Sequence, residues 1–173
     1  MSELVPDASE SWPVLASEDL YRDDWIVALR RDTITAPGGG EPFDRWVFEH
    51  PGAVIVLAVD EHERAACVRQ YRHPARGTYL ELPAGLRDAA GEEPLATAKR
   101  ELLEEAELEA ADWRELFALW PSAGITAERH VFFLARGLTR GDRGDFVLDG
   151  RVTEEPIAVA VLAYDALRRR ERL

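Results

Sequence analysis

Arg100-Glu101-Leu102-Leu103-Glu104-Glu105 sets three carboxylates and one guanidinium within a single short run. On a helix turning about 100° per residue, Glu101, Glu104 and Glu105 fall within about a 100° arc of one face. Leu95, Ala98, Leu102 and Ala106 follow a separate stripe that can pack inward. The acidic face is costly: Glu101 and Glu105 at i,i+4 repel by about 0.2–0.5 kcal/mol. Glu107 and Glu109 add further negative charge near the C-terminal end, where the macrodipole favours cations. Helix stability alone does not select this pattern. Clustered carboxylate oxygens suit a hard divalent cation such as Mg²⁺, which keeps part of its water shell and bridges to substrate phosphates; Mn²⁺ takes the same ligands. The plain alternative is a solvated acidic face, in a chain with 33 acidic residues.

The flanking elements decide between these readings. Glu81-Leu82-Pro83-Ala84-Gly85 reads as a strand entering a tight turn, and Gly91-Glu92-Glu93-Pro94 as a helix start. A strand, a glycine loop and an acidic helix with Arg-Glu-x-x-Glu-Glu together resemble the Nudix box, G-x5-E-x7-R-E-U-x-E-E-x-G-U with U aliphatic. Glu92, seven intervening residues, Arg100, Glu101, Leu102, Glu104, Glu105 and Leu108 match it. There are two departures. Six residues separate Gly85 from Glu92 in place of five, a longer loop shared with some members of the ADP-ribose pyrophosphatase branch. Glu107 stands where the family has glycine. Glycine there suits a left-handed helix C-cap, and a non-glycine costs about 1 kcal/mol or makes the helix end differently.

The resemblance implies a fold, a reaction and a set of residues. Nudix enzymes hydrolyse a nucleoside diphosphate linked to another group. Carried over position by position, Glu101 and Glu105 are the principal metal ligands, Glu104 a further ligand or base, and the Ala84 carbonyl a backbone ligand. Arg100 orients the glutamates through charge-assisted hydrogen bonds. The metal, Mg²⁺ or Mn²⁺, would neutralise the diphosphate and activate a water. Outside the box, Gln70-Tyr71-Arg72 leading to Glu81-Leu82-Pro83-Ala84-Gly85 resembles the ADP-ribose pyrophosphatase branch. Arg72 is then available to the diphosphate, and is otherwise a surface arginine ending a strand. Leu86, next after the loop glycine, is counted with the substrate contacts, as are Arg45 and Trp46. Trp25 falls where an aromatic can stack on adenine, with a core role as the alternative. Ser122-Ala123-Gly124 with Glu128 matches a loop contacting the terminal ribose, or is simply a turn between strands. The branch also implies a homodimer completed by N-terminal strands. The implied substrate is the small-molecule nucleotide ADP-ribose, cleaved to AMP and ribose 5-phosphate. The alternatives are another nucleoside diphosphate derivative, or a Nudix domain that binds a ligand without hydrolysing it.

Composition narrows the remaining classes. At 173 residues the chain fits one domain, 1–173, with a sizeable core. A net charge of −12 and a pI near 4.8 disfavour nucleic acid and anionic membrane surfaces, and no basic stripe with interleaved aromatics offsets them. No apolar run approaches a membrane span, and MSELVPDASESW has neither the basic nor the apolar region of a signal peptide. The single cysteine, Cys67, reads as a buried thiol, and with no disulfide framework the expected compartment is the cytoplasm. Arg168-Arg169-Arg170 with Arg172 complements a helix C-terminus more readily than it binds phosphate. His50, His73 and His130 lack metal-ligand spacing, and Gly38-Gly39-Gly40 lacks the lysine of a phosphate loop.

Segments 1–20 read as loosely ordered, and 20–50 as N-terminal strands used in dimerisation. Strands are expected at Trp25–Asp32, Arg45–Glu49, Ala53–Asp60, Ala65–Tyr71, Thr78–Leu82, Trp113–Trp120 and His130–Arg136, with a helix from Pro94 to Ala106 and a loop over Thr139–Arg143. These give an α+β fold, a Nudix-type α/β/α sandwich with a mixed sheet and extra N-terminal antiparallel strands. Two readings of the tail stand. Thr153–Arg170 is a terminal helix with acids and Pro156 in its first turn and arginines in its last, the reading preferred here. Otherwise Glu154-Glu155 is an acidic loop able to supply a second catalytic glutamate, and IAVAVLAY the strand after it.

Overall fold

The computed structural model describes residues 12–24 and 26–140. Trp25 and the whole tail, with Thr153–Arg170 and its Glu154-Glu155 pair, lie outside the described residues. The described residues form two compact units, one within 12–51 with 120–128 and one of 52–119 with 129–140.

The first unit is an antiparallel sheet of three strands in the order β1 (Val14–Arg22), β2 (Ala28–Ile34), β3 (Phe43–Glu49). Residues 14–20 were expected within a loosely ordered segment, and the structure corrects this. VLASEDLYR has no apolar alternation to announce a strand, and both of its faces are exposed. It is held by pairing: Val14 opposite Ile34 through Arg22 opposite Ala28, with bulges after Val14 and Asp19. Side chains reinforce the register. Ser17 Oγ donates to Asp32 at 2.6 Å, and Arg31 is ion-paired with Glu18. The loop 121–128 docks onto the end of β3, where the Phe48 N–H donates to the Ile125 carbonyl (2.8 Å) and the Ala127 N–H to the Phe48 carbonyl (3.1 Å).

The second unit is built on a mixed sheet of four strands, β7-β4-β9-β8, comprising β4 (Ala53–Ala58), β7 (Ala84–Leu86), β8 (Leu108–Leu119) and β9 (His130–Arg140). β4 pairs parallel to β9 and antiparallel to β7, and β8 pairs antiparallel to β9. Being central, AVIVLA is apolar at every position and buried from Val54 onward, as a strand covered on both faces requires. Its alternation divides the core. Val54, Val56 and Ala58 pack with Ala98 and Leu102 of the helix, and Ile55, Leu57 and Val59 with Leu82 and Phe132 on the opposite face. A two-stranded hairpin, β5 (Val68–Arg72) and β6 (Gly77–Glu81), precedes β7. β9 continues to Arg140, so Thr139 and Arg140, expected in a loop, instead pair with Glu109 and Leu108.

The helix α1 spans Pro94–Ala106, as expected, with proline in its first turn. Two details differ from the apolar stripe read in the sequence. Leu95 is 36% exposed, and Thr97 is fully buried in its stead. Thr97 tolerates this because its hydroxyl donates to Glu92 at 2.9 Å. At the other end Glu107 adopts the left-handed conformation (φ 55°, ψ 39°), and its N–H donates to the Leu103 carbonyl at 3.0 Å. The glycine-type ending is therefore kept without the glycine. Among the described residues, no helix is long and apolar enough to cross a membrane.

Candidate active site

The short strand β7 and one face of α1 are the elements that meet. Leu82 and Pro83 are buried, and the Val56 N–H donates to the Pro83 carbonyl at 2.8 Å, which fixes the chain entering β7. Ala84 and Gly85 then stand opposite Ile55 and Val54. Gly85 is required by contact: a Cβ there would lie 1.9 Å from the Glu101 carboxyl carbon, so the Glu101 side chain rests directly on the Gly85 backbone. One turn along the helix, Glu105 accepts the Ala84 N–H at 2.9 Å. Glu101 and Glu105 thus lie against adjacent residues of one strand.

Arg100 braces this face. Its Nη1 donates to Glu101 (2.7 Å) and Glu104 (3.3 Å), and its Nη2 to Glu92 (3.4 Å). Glu92, seven intervening residues before Arg100, is therefore the anchor that ties the box arginine and Thr97 together. The three helix glutamates are not equivalent. The Glu101 side chain is 12% exposed and that of Glu104 58%, so packing draws Glu101 and Glu105 inward and leaves Glu104 in solvent.

Charge follows burial. Desolvation pushes the Glu105 carboxyl above its ordinary value; the Ala84 N–H opposes this, and the charge of Glu101 adds to it. Glu101 is likewise raised by burial, against the nearby Arg100, with Glu104 and Asp88 adding repulsion. Glu92 moves the other way, lowered by the Thr97 hydroxyl and then by Arg100. Two half-buried carboxylates that resist ionisation, set on one stretch of backbone, form a donor set a hard cation would relieve. Among the described residues no three His, Cys, Asp or Glu side chains converge into a complete cage. Mg²⁺ needs none, because it keeps waters and takes phosphate oxygens as ligands.

The other expected residues divide between the units. Arg72, at the end of β5, holds Glu81 through its Nε (2.8 and 3.1 Å) and its Nη2. Its charge also acts to lower Glu105. Leu86 is half-buried in β7. Arg45, Trp46, Ser122, Gly124 and Glu128 belong to the first unit. There Arg45 lies over the Phe43 ring at 4.4 Å and Trp46 is exposed. The Ser122 carbonyl closes the turn by accepting the Ile125 and Thr126 N–H groups, both at 3.0 Å. The Glu128 N–H donates to Thr126 Oγ1 (3.0 Å), and its carboxylate lies 3.4 Å from His50 Nδ1. Gly124 has open space where a side chain would stand. Cys67 is half-buried, and burial pushes its thiol up, which suits a structural thiol. Sequence reasoning overlooked Glu81 as more than a strand residue. The signal was an acid ending the strand GTYLE, two residues before the buried Pro83.

The NUDIX domain matches residues 49–171. The chain is 44% identical over 131 residues to the ADP-ribose pyrophosphatase of Mycobacterium tuberculosis (strain ATCC 25618 / H37Rv), covering 76% of this chain and 62% of that protein. It is 35% identical over 125 residues to the ADP-ribose pyrophosphatase of Bacillus subtilis (strain 168), covering 72% and 66%. The chain thus spans about three-fifths to two-thirds of the length of these curated relatives. In fold it is similar to a crystal structure described as an ADP compounds hydrolase, with a TM-score of 0.74 at 19% identity over 95% of this chain and 98% of that one. That neighbour and the mixed sheet bear out the expected α+β Nudix fold, and with the match to residues 49–171 they establish that this chain belongs to the NUDIX domain family.

Proposed function

We propose that this chain hydrolyses the diphosphate bond of a nucleoside diphosphate sugar in a divalent-cation-dependent reaction, with ADP-ribose as substrate and AMP and ribose 5-phosphate as products. The observation that carries this reading is the pair Glu101 and Glu105, half-buried and pushed toward protonation by burial, packed on Gly85 and Ala84. Carboxylates raised by burial cluster at functional sites, and Glu101 stays raised even beside Arg100. The choice of substrate is supported by the relatives named ADP-ribose pyrophosphatase.

In this reading Glu101, Glu105 and the Ala84 carbonyl would hold the cation, Mg²⁺ or Mn²⁺. When bound, the cation would neutralise the diphosphate and make a bound water more acidic. Arg100 fixes Glu101 from one side, and Glu92 fixes Arg100, so the carboxylate is set before substrate arrives. Glu104, exposed beside Arg100, is placed to accept a proton or add a ligand. Arg72 offers its planar fork to the diphosphate oxygens. We also propose that the protein is a cytoplasmic homodimer joined through the first unit, because Val14, Leu15, Leu20, Tyr21 and Trp46 are all exposed there.

Incubation with ADP-ribose, ADP-glucose, GDP-mannose and dGTP, in Mg²⁺ or Mn²⁺ and then in excess EDTA, tests the reading. The expected result is the highest kcat/KM for ADP-ribose and no turnover after chelation. Full turnover in EDTA overturns the metal role, and a preference for dGTP overturns the substrate assignment.

A further inference from the structure

We propose that Glu81 is a positioning residue that locks the Arg72 guanidinium in the plane from which it engages the substrate diphosphate; this rests on the function proposed above. Glu81 is 6% exposed, one of the few buried charged side chains among the described residues. Such a carboxylate is costly to bury unless it is paired with good geometry. Its pairing is with Arg72, through Nε at 2.8 and 3.1 Å and through Nη2. Residues 68, 70 and 72 of β5 share a hairpin face with 77, 79 and 81 of β6. Gly77 stands opposite Arg72, and the Tyr79 ring of the same face lies over it, since a Cβ at Gly77 would come within 2.8 Å of that ring.

The contact is specific in what it does to Arg72. Arginine is a flexible side chain with a rigid planar head, and holding the Nε/Nη2 edge fixes the plane and turns the Nη1/Nη2 edge away from Glu81. The pair also sits within electrostatic reach of the candidate centre, since both charges act on Glu105, Arg72 to lower and Glu81 to raise its pKa. A salt bridge that only stapled the hairpin would need no such location. Glu81 itself is negative and does not contact a diphosphate; its effect passes through Arg72.

The test is a double-mutant cycle on the full chain with ADP-ribose and Mg²⁺, measuring kcat, KM and melting temperature for wild type, Glu81→Gln, Arg72→Ala and the double variant. Loss of an oriented charged hydrogen bond predicts that Glu81→Gln raises KM about tenfold with kcat little changed. In the Arg72→Ala background the same change should add nothing further. Arg72→Lys gives an independent arm, since it keeps the charge but loses the fork; it should raise KM to a similar degree with an unshifted melting temperature. The inference is overturned if Glu81→Gln acts equally in both backgrounds, if it lowers kcat at unchanged KM, or if Arg72→Lys keeps the wild-type KM. A wild type inert to every nucleoside diphosphate sugar overturns the proposed function and this inference together, whereas an active wild type with additive losses overturns this inference alone.

Discussion

Asp32 in the first unit and Glu105 in the second are both acids drawn into the protein, and the fold treats them oppositely. Asp32 is 6% exposed and accepts hydrogen bonds from Ser17 Oγ (2.6 Å), Arg30 Nε (2.7 Å) and Arg30 Nη2 (2.9 Å). Arg30, and then Ser17, holds its carboxyl below the ordinary value. Glu105 has the Ala84 N–H as its hydrogen-bond donor, and burial outweighs that bond, so its carboxyl is raised. One acid is neutralised by the fold and belongs to its stability. The other is left raised by burial, the condition that the proposed cation would relieve.

The sharpest way to break this contrast is Glu105→Gln. Removing a group that stabilises transition-state charge should lower kcat by about 10²-fold or more. Stability should move the other way. Because the folded pKa of Glu105 is raised, its contribution is fully present below the ordinary carboxylate value and is lost as pH rises through the folded one. Glutamine mimics the protonated form. Metal-free Glu105→Gln should therefore melt at or above the wild-type temperature at pH 7. A lower melting temperature with unchanged kcat would make Glu105 another Asp32.

Asp32→Asn should invert that pattern. Losing the charge that holds Arg30 and Ser17 should cost about 1–3 kcal/mol of stability at pH 7, with kcat retained in the folded protein. Its lowered pKa places the contribution above the ordinary carboxylate value and removes it as pH falls through the folded one, so the deficit should shrink in acid. Melting curves from pH 7 down to the carboxylate range check this, and a deficit independent of pH would remove charge from the explanation.

A smaller effect sharpens the boundary between chemistry and scaffold. Glu107 is strained in the left-handed region, and Glu107→Gly should stabilise by about 1 kcal/mol, a rise of roughly 2–4 °C in Tm for a chain of this size, without altering kcat. Smallest of all, Glu109→Gln, on an exposed position of β8, should stay within about 0.5 kcal/mol and leave turnover as it was. A rate loss there matching that of Glu105→Gln would mean that acidity in general, not the two buried carboxylates, serves the reaction.

These contrasts also mark what the sequence could state unaided. The helix Pro94–Ala106, its proline start and the face shared by Glu101 and Glu105 follow from i,i+4 periodicity, a local property that needs no knowledge of the rest of the chain. The strand Ala53–Ala58 and the His130–Arg136 part of β9 were visible as apolar runs for the same reason. Three things were decided only in three dimensions. β1 is a strand because Ala28–Ile34 offers it an edge, not because VLASEDLYR has a strand pattern. Glu101 and Glu105 are drawn inward and Glu104 is not, because β7 lies beneath one side of the helix and the missing Cβ of Gly85 lets Glu101 approach. Glu81 meets Arg72 because hairpin register puts them on one face. Helical spacing is written in neighbouring residues, whereas burial, register and the charge state of a carboxylate depend on segments far apart in the chain, and only the folded packing brings those together.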